Sequence, residues 1–149
     1  MAGYTLTCNI QILPWDTAQQ DAQSIRRIVF IQEQAVTESL EWDGMDEDAK
    51  HAVALNNDGV LVGYARLLPS KQLGRMAVLA KYRKKGIGTA LLLALEEEAS
   101  RLHYDHIFLH AQIQALPFYE QQGYVGHGEP FDEAGIPHLM MTKLLTDIS

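Results

Sequence analysis

Cysteine is almost absent from the chain, with Cys8 the single example. An intramolecular disulfide and a cysteine-built zinc cluster are therefore excluded, and a reducing compartment, the cytoplasm, is the expected location. No strictly apolar run exceeds Ala90 to Leu95, far short of the roughly 20 residues that cross a bilayer. The first residues, MAGYTLTC, lack a basic region followed by an apolar stretch, so neither a membrane partner nor a secretory leader is expected. No metal is assigned to the histidines. Basic residues are outnumbered, 12 against 19 acidic, which argues against nucleic acid as a partner. There is no internal repeat, linker or low-complexity tract, so the 149 residues are expected to form one domain, 1–149.

What the chain does have is charge placed unevenly. No acidic residue lies between Val60 and Leu95, whereas Arg66, Lys71, Arg75, Lys81, Arg83, Lys84 and Lys85 all fall there. Seven acids lie between Glu33 and Asp48 with no base among them. If the fold separates these regions, one face attracts anions and another attracts cations.

Periodicity supplies the elements. Thr5 to Ile12 alternates, with Leu6, Cys8, Ile10 and Ile12 on one side, which predicts a half-buried strand. After Pro14, Asp16 or Thr17 can cap a helix running to about Gln34, with Ile25, Ile28, Val29 and Gln32 on or near one face. Ala35 to Asp48 reads as an irregular acidic loop. His51–Leu55 and Val60–Leu68 flank the turn signal Asn56-Asn57-Asp58-Gly59 and form a hairpin. Gly74–Leu79 is a further strand. A helix runs from Ile87 to Leu102, with Ile87, Leu91, Leu95 and Ala99 inward and Glu96, Glu97, Glu98 and Arg101 in solvent. Ile107–Ala111 is a strand, Pro117 to Gly123 brackets a short helix, and two strands follow near Tyr124–Phe131 and Pro137–Leu144. The order predicts an α/β fold of the α+β kind: a mixed sheet with helices on both faces and a parallel strand–helix–strand unit from Gly74 to Ala111.

The chemistry concentrates at Arg83-Lys84-Lys85-Gly86-Ile87-Gly88, where a strand passes into a helix. Amides at a helix start are unpaired and point outward, and the helix dipole adds positive potential there. Two glycines let an anion approach the backbone, and three cations surround it. A phosphate or pyrophosphate is the expected guest. The spelling excludes a Walker loop, and a dinucleotide fingerprint would need glycine where Leu91 stands.

From Met76 through this loop into the helix, the chain resembles the acetyl-CoA motif of the GNAT N-acetyltransferases, and more narrowly their ElaA-like and YjcF-like subgroup. Val29-Phe30-Ile31-Gln32-Glu33-Gln34 with Glu41-Trp42-Asp43-Gly44 carries the narrower likeness. So do His110-Ala111-Gln112 leading to Phe118-Tyr119-Glu120 and Gly123-Tyr124, and the segment Phe131 to His138. The resemblance implies a GNAT fold and transfer of an acetyl group from acetyl-CoA to a primary amine by direct attack. The pantetheine arm would lie along Met76, Ala77 and Val78. The pyrophosphate would sit on Arg83, Lys84, Lys85, Gly86, Ile87 and Gly88, with Thr89 nearby, and Gln112 would stand where many members place a cofactor-contacting asparagine. Tyr119 stands where the family's thiolate-protonating tyrosine does; a half-buried tyrosine there could equally plug the core. A backbone N–H near Val78 would serve the oxyanion.

The general base stays open among Glu33, Glu41, Asp43, His110 and His138, with Glu33 the first choice. Glu41, Trp42, Asp43, His110 and His138 are expected to line the acceptor pocket, the acids attracting an ammonium and Trp42 adding a cation–π wall. The acceptor is a small-molecule or protein amine, and a homodimer, frequent in the family, is a further expected partner. A non-catalytic acyl-CoA-binding module is the competing reading.

Overall fold

The computed structural model describes residues 8–145. Residues 5–7 of the first expected strand lie outside them. Seven strands form one sheet: β1 (Cys8–Leu13), β2 (Lys50–Asn56), β3 (Leu61–Leu67), β4 (Gln72–Val78), β5 (His106–Gln112), β6 (Val125–Glu133) and β7 (Ile136–Leu144). Their spatial order is β1-β2-β3-β4-β5-β7-β6. Every neighbouring pair is antiparallel except β4 and β5, which run parallel. Among the described residues the α-helices are α1 (Trp15–Arg26), α2 (Glu38–Glu41), α3 (Ile87–Arg101) and α4 (Leu116–Gln121).

Two apolar layers sandwich the sheet. Leu91, Leu92, Leu95 and Ala99 of α3 bury against Val62, Ala65, Leu73, Ile107 and Leu109. On the opposite face, Ala18, Ala22 and Ile25 of α1 bury with Val29 and Phe30 against Val53, Tyr64 and Ala77. Alternation along β5 divides its side chains: Ile107, Leu109 and Ala111 point toward α3, and His110 and Gln112 toward the other face. Gly63 brings α3 close, because a Cβ there would lie 2.8 Å from Ile87 Cγ2 and 3.0 Å from Leu91 Cδ1.

The structure corrects three expectations about helices. Pro14, not Asp16 or Thr17, precedes α1, and its carbonyl takes the first amide bonds. The helix does not run evenly to Gln34: from Arg27 to Glu33 the turns widen to a π-helix. The wider turn shifts the inward face, so Phe30 is buried beside Val29 while Ile28 and Gln32 turn to solvent. In α3, Glu96 and Glu98 are buried rather than solvated. Glu96 accepts from Tyr124 Oη at 2.8 Å and pairs with Lys143 at 3.1 Å, and these partners repay its desolvation.

Candidate active site

The parallel pair is short. Gln72 stands opposite Phe108 and Leu73 opposite Leu109, and beyond that level β4 and β5 part. A bulge explains the parting. Gly74 pairs with Arg66 and Ala77 with Tyr64, so β4 spends an extra residue there, and Arg75 takes φ 51°. A left-handed arginine costs energy that its surroundings must hold. Arg75 Nη2 donates to the Glu41 carbonyl at 3.0 Å and to Asp43 Oδ2 at 3.2 Å, and its Nε lies 2.9 Å from Glu41 Oε2.

These contacts belong to a buried cluster that joins the two charged regions. Arg26, fully buried, donates to Glu41 at 2.9 Å and Asp46 at 2.8 Å. Arg66 donates to Asp43 at 2.8 and 2.9 Å and to Asp46 at 3.0 Å. Burial alone would raise the Asp43 carboxyl, but the hydrogen bond and charge of Arg66, the Met45 amide and Arg75 bring it down to about 2. His51, buried beneath Asp46, donates from Nε2 to the Asp46 carbonyl and accepts at Nδ1 from Tyr64 Oη, and burial lowers its pKa. The expected separation into a basic and an acidic face is therefore overturned. Glu41 and Asp43 are spent on arginines and offer an incoming ammonium little net field. Trp42 is likewise engaged, with Arg26 and Arg27 over its ring at 5.0 and 5.6 Å. Long stretches of sequence separate these partners, so only the folded chain brings their charges together.

The gap between β4 and β5 opens into a cleft of about 830 Å³. It gathers Met76, Ala77 and Val78, Arg83 and Lys84, Gly86 to Thr89, His110, Gln112, Tyr119 and His138, with Glu41 and Asp43 at its wall. Glu33, Trp42 and Lys85 do not line it. By strand alternation, the amide of Leu79 reaching the Val62 carbonyl sets Ala77 toward β3 and leaves Met76 and Val78 facing the gap.

At one end of the cleft stands the start of α3. Gly86 precedes it at φ 86°, a conformation that favours glycine. No side chain caps it, no acid occupies its first turn, and the first intrahelical bond is Ala90 N to Gly86 O. The amides of Ile87, Gly88 and Thr89 are thus without helical partners. A Cβ at Gly88 would lie 3.6 Å from Phe118 and 3.8 Å from the Met76 sulfur, so the glycine keeps that corner open. These features fit a diphosphate.

Glu33 is not positioned as the sequence suggested. Its carboxylate closes on Arg83 with distances of 2.7 and 2.8 Å, and that hydrogen bond lowers its pKa. A carboxylate so held is a poor proton acceptor. Arg83 Nε also donates to the Val78 carbonyl at 2.8 Å. Gln112 donates to Gln34 at 2.9 Å and accepts from Gln114 at 2.6 Å, so its amide is engaged by protein rather than free for a guest. Tyr119 Oη points at the Met76 sulfur, 3.9 Å away, and burial pushes its pKa up to about 12. His110 Nδ1 lies 2.8 Å from Glu133 Oε1 and His138 Nδ1 2.6 Å from the Ile136 carbonyl. The role of Glu133 was missed: an acid one hairpin away has no sequence mark of pairing with His110.

The profile of the Acetyltransferase (GNAT) domain matches residues 16–145. The chain belongs to the GNAT acetyltransferase family. Its relatives place it among the ElaA/YjcF-like members. The Bacillus subtilis protein YyaT is 37% identical over 140 residues, covering 91% of this chain and 95% of YyaT. YjcF of the same organism, named as an uncharacterised N-acetyltransferase, is 36% identical, covering 83% and 91%. The crystal structure of Escherichia coli ElaA superposes with a TM-score of 0.81 at 28% identity, covering 91% of this chain and 99% of ElaA. This GNAT protein is therefore an acyltransferase, and its fold is one that generally uses acyl-CoA. Among its described residues no helix is long and apolar enough to cross a membrane.

Proposed function

We propose that the protein transfers an acetyl group from acetyl-CoA directly to a primary amine, borne by a small molecule or a protein, with both bound together. The observation that carries this reading is the parting of β4 from β5 beside the uncapped start of α3. Residues Met76 to Val78 offer strand-like pairing to an amide-bearing chain, and the amides of Ile87 to Thr89, with Lys84 at the rim, hold a diphosphate. When bound, acetyl-CoA supplies a thioester as the acyl donor. Of the amides near Val78 that face the gap, that of Met76 lies beside the Tyr119 hydroxyl and can hold a developing oxyanion. Tyr119 stays protonated through the neutral range and is the donor available to the departing sulfur. Glu33 keeps Arg83 extended over the Val78 carbonyl. The lone cysteine suits the reducing cytoplasm.

A thermal-shift titration tests the cradle. Stabilisation by acetyl-CoA and not by ATP or NAD is expected, and the reverse order overturns the assignment. Coenzyme A release across an amine panel tests transfer, and release that no amine accelerates refutes it.

A further inference from the structure

The cleft carries a pair of side chains that the reading above leaves idle. His110 is the first β5 residue beyond the last paired level, Leu73 opposite Leu109, so it stands at the fork where the two strands separate. A chain anchored by its diphosphate at the start of α3 and laid along β4 runs toward that fork, and its far end is the reacting end. His110 faces away from α3, whereas Tyr119 packs with the α3 layer. The two groups thus approach the fork from opposite faces of the sheet.

Glu133 reaches across β7 from the end of β6, and a carboxylate can only accept. In the neutral ring the proton is therefore on Nδ1, and Nε2 carries a lone pair. Among the described residues Nε2 has no partner, yet it is not sealed from solvent, and the histidine lines the cleft. The Phe131 ring, nearly perpendicular with the two ring centroids 5.0 Å apart, holds the ring plane. Glu133 of β6 is bonded to the ring, His138 of β7 lies beyond Phe131, and Glu41, Asp43, Arg66 and Arg75, paired with one another, line the same cleft.

Resting on the acetyl-transfer reading, we infer that His110 is its general base, taking the ammonium proton of the acceptor at Nε2, and that Glu133 is the positioning residue that fixes its tautomer. The proton balance closes. The ammonium gives one proton to His110, which passes it to solvent. The freed nitrogen pair forms the C–N bond as the C–S bond breaks. The sulfur takes the Tyr119 proton, and the phenolate recovers one from the acylated nitrogen. One amide, one thiol and one released proton result.

The test begins without turnover. Nitrogen-15 imidazole spectra of the free protein are expected to show His110 protonated at Nδ1 and bare at Nε2. In Glu133→Gln, whose side chain can donate to Nδ1 as well as accept from it, the Nε2–H tautomer should appear beside the Nδ1–H form. An Nε2–H tautomer in the wild type, or a tautomer unchanged in Glu133→Gln, overturns the inference. In the transfer assay His110→Gln should lower kcat about 100-fold or more and erase the acid limb of the pH–rate profile. Glu133→Gln, which no longer forces the proton onto Nδ1, should lower kcat with the KM for acetyl-CoA unchanged. Glu133→Ala should lower kcat further. Retention of acetyl-CoA stabilisation by each variant shows that it is folded. A wild type that turns over beside an equally active His110→Gln sinks the base alone. A wild type that neither binds acetyl-CoA nor acylates any amine sinks the transferase reading and the base with it.

Discussion

Glu33 and Arg83, 50 residues apart in the chain, meet in a two-pronged ion pair at 2.7 and 2.8 Å, and the same guanidinium donates to the Val78 carbonyl at 2.8 Å. The acid thus braces the loop before α3. Glu33→Gln is expected to leave the acid limb of the pH–rate profile in place and to change acetyl-CoA affinity only a few-fold, since exposed pairs of this kind are worth about 0.2–1 kcal/mol. Because Arg83 lowers the Glu33 pKa, the stability it contributes is present above the carboxyl's ordinary value and is lost as pH falls through the lowered one. Isothermal titration at neutral pH and denaturation across the acid range check both statements.

Tyr119→Phe should lower kcat about 10- to 100-fold while leaving the acetyl-CoA dissociation constant unchanged. With its pKa pushed up to about 12, the hydroxyl produces no basic limb in the neutral range, and the profile of the wild type should be flat there on its account. Steady-state kinetics beside binding measurements decide this, and equal turnover in the variant removes the role.

Asp43 holds Arg66 and the left-handed Arg75. With its carboxyl brought from 3.8 to about 2, Asp43 contributes on the order of 2 kcal/mol that is fully present above pH 3.8 and is lost as pH falls through about 2. Asp43→Asn should therefore lower stability by about that amount at pH 7 and flatten the acid dependence. It should also loosen acetyl-CoA binding, because the bulge that parts the strands loses an anchor. Urea denaturation at several pH values, with a thermal-shift titration, measures these effects.

Gly63→Ala places a methyl group 2.8 Å from Ile87. Overpacking of a closed contact costs about 1–3 kcal/mol. Because Ile87 opens α3, the displaced helix should carry its amides away from the cleft. A fall in Tm with weaker acetyl-CoA stabilisation is expected, and Gly59→Ala, in an open turn at φ 77°, should lose stability without the second effect.

The strands and the start of α3 were legible because each is written in adjacent residues. Cys8, Ile10 and Ile12 alternate, Asn56 to Gly59 turns, and the glycines at 86 and 88 mark where the helix opens. Tyr119 was proposed through resemblance to a family motif. The arginine–carboxylate cluster was not legible, since Arg26 meets Glu41 and Asp46 across 15 and 20 residues of chain that no periodicity links. Opposite charges on separate segments look like two patches until the fold superposes them. Glu96 failed for the same reason: its helix position is polar, and its partners Tyr124 and Lys143 arrive from β6's approach and from β7. The π-helical turn at Arg27 to Glu33 leaves no compositional trace, because the residues themselves suit either winding.

Between Leu73 and the end of β4 the sheet is two half-sheets sharing a short seam. Whatever docks in that opening becomes a missing strand, lending its amides to both banks and stitching them together. Ligand and scaffold then share one cohesion: the protein should stiffen as a whole on loading, and slow amide exchange should spread from β4 to β5 and β7, well beyond the atoms the ligand touches.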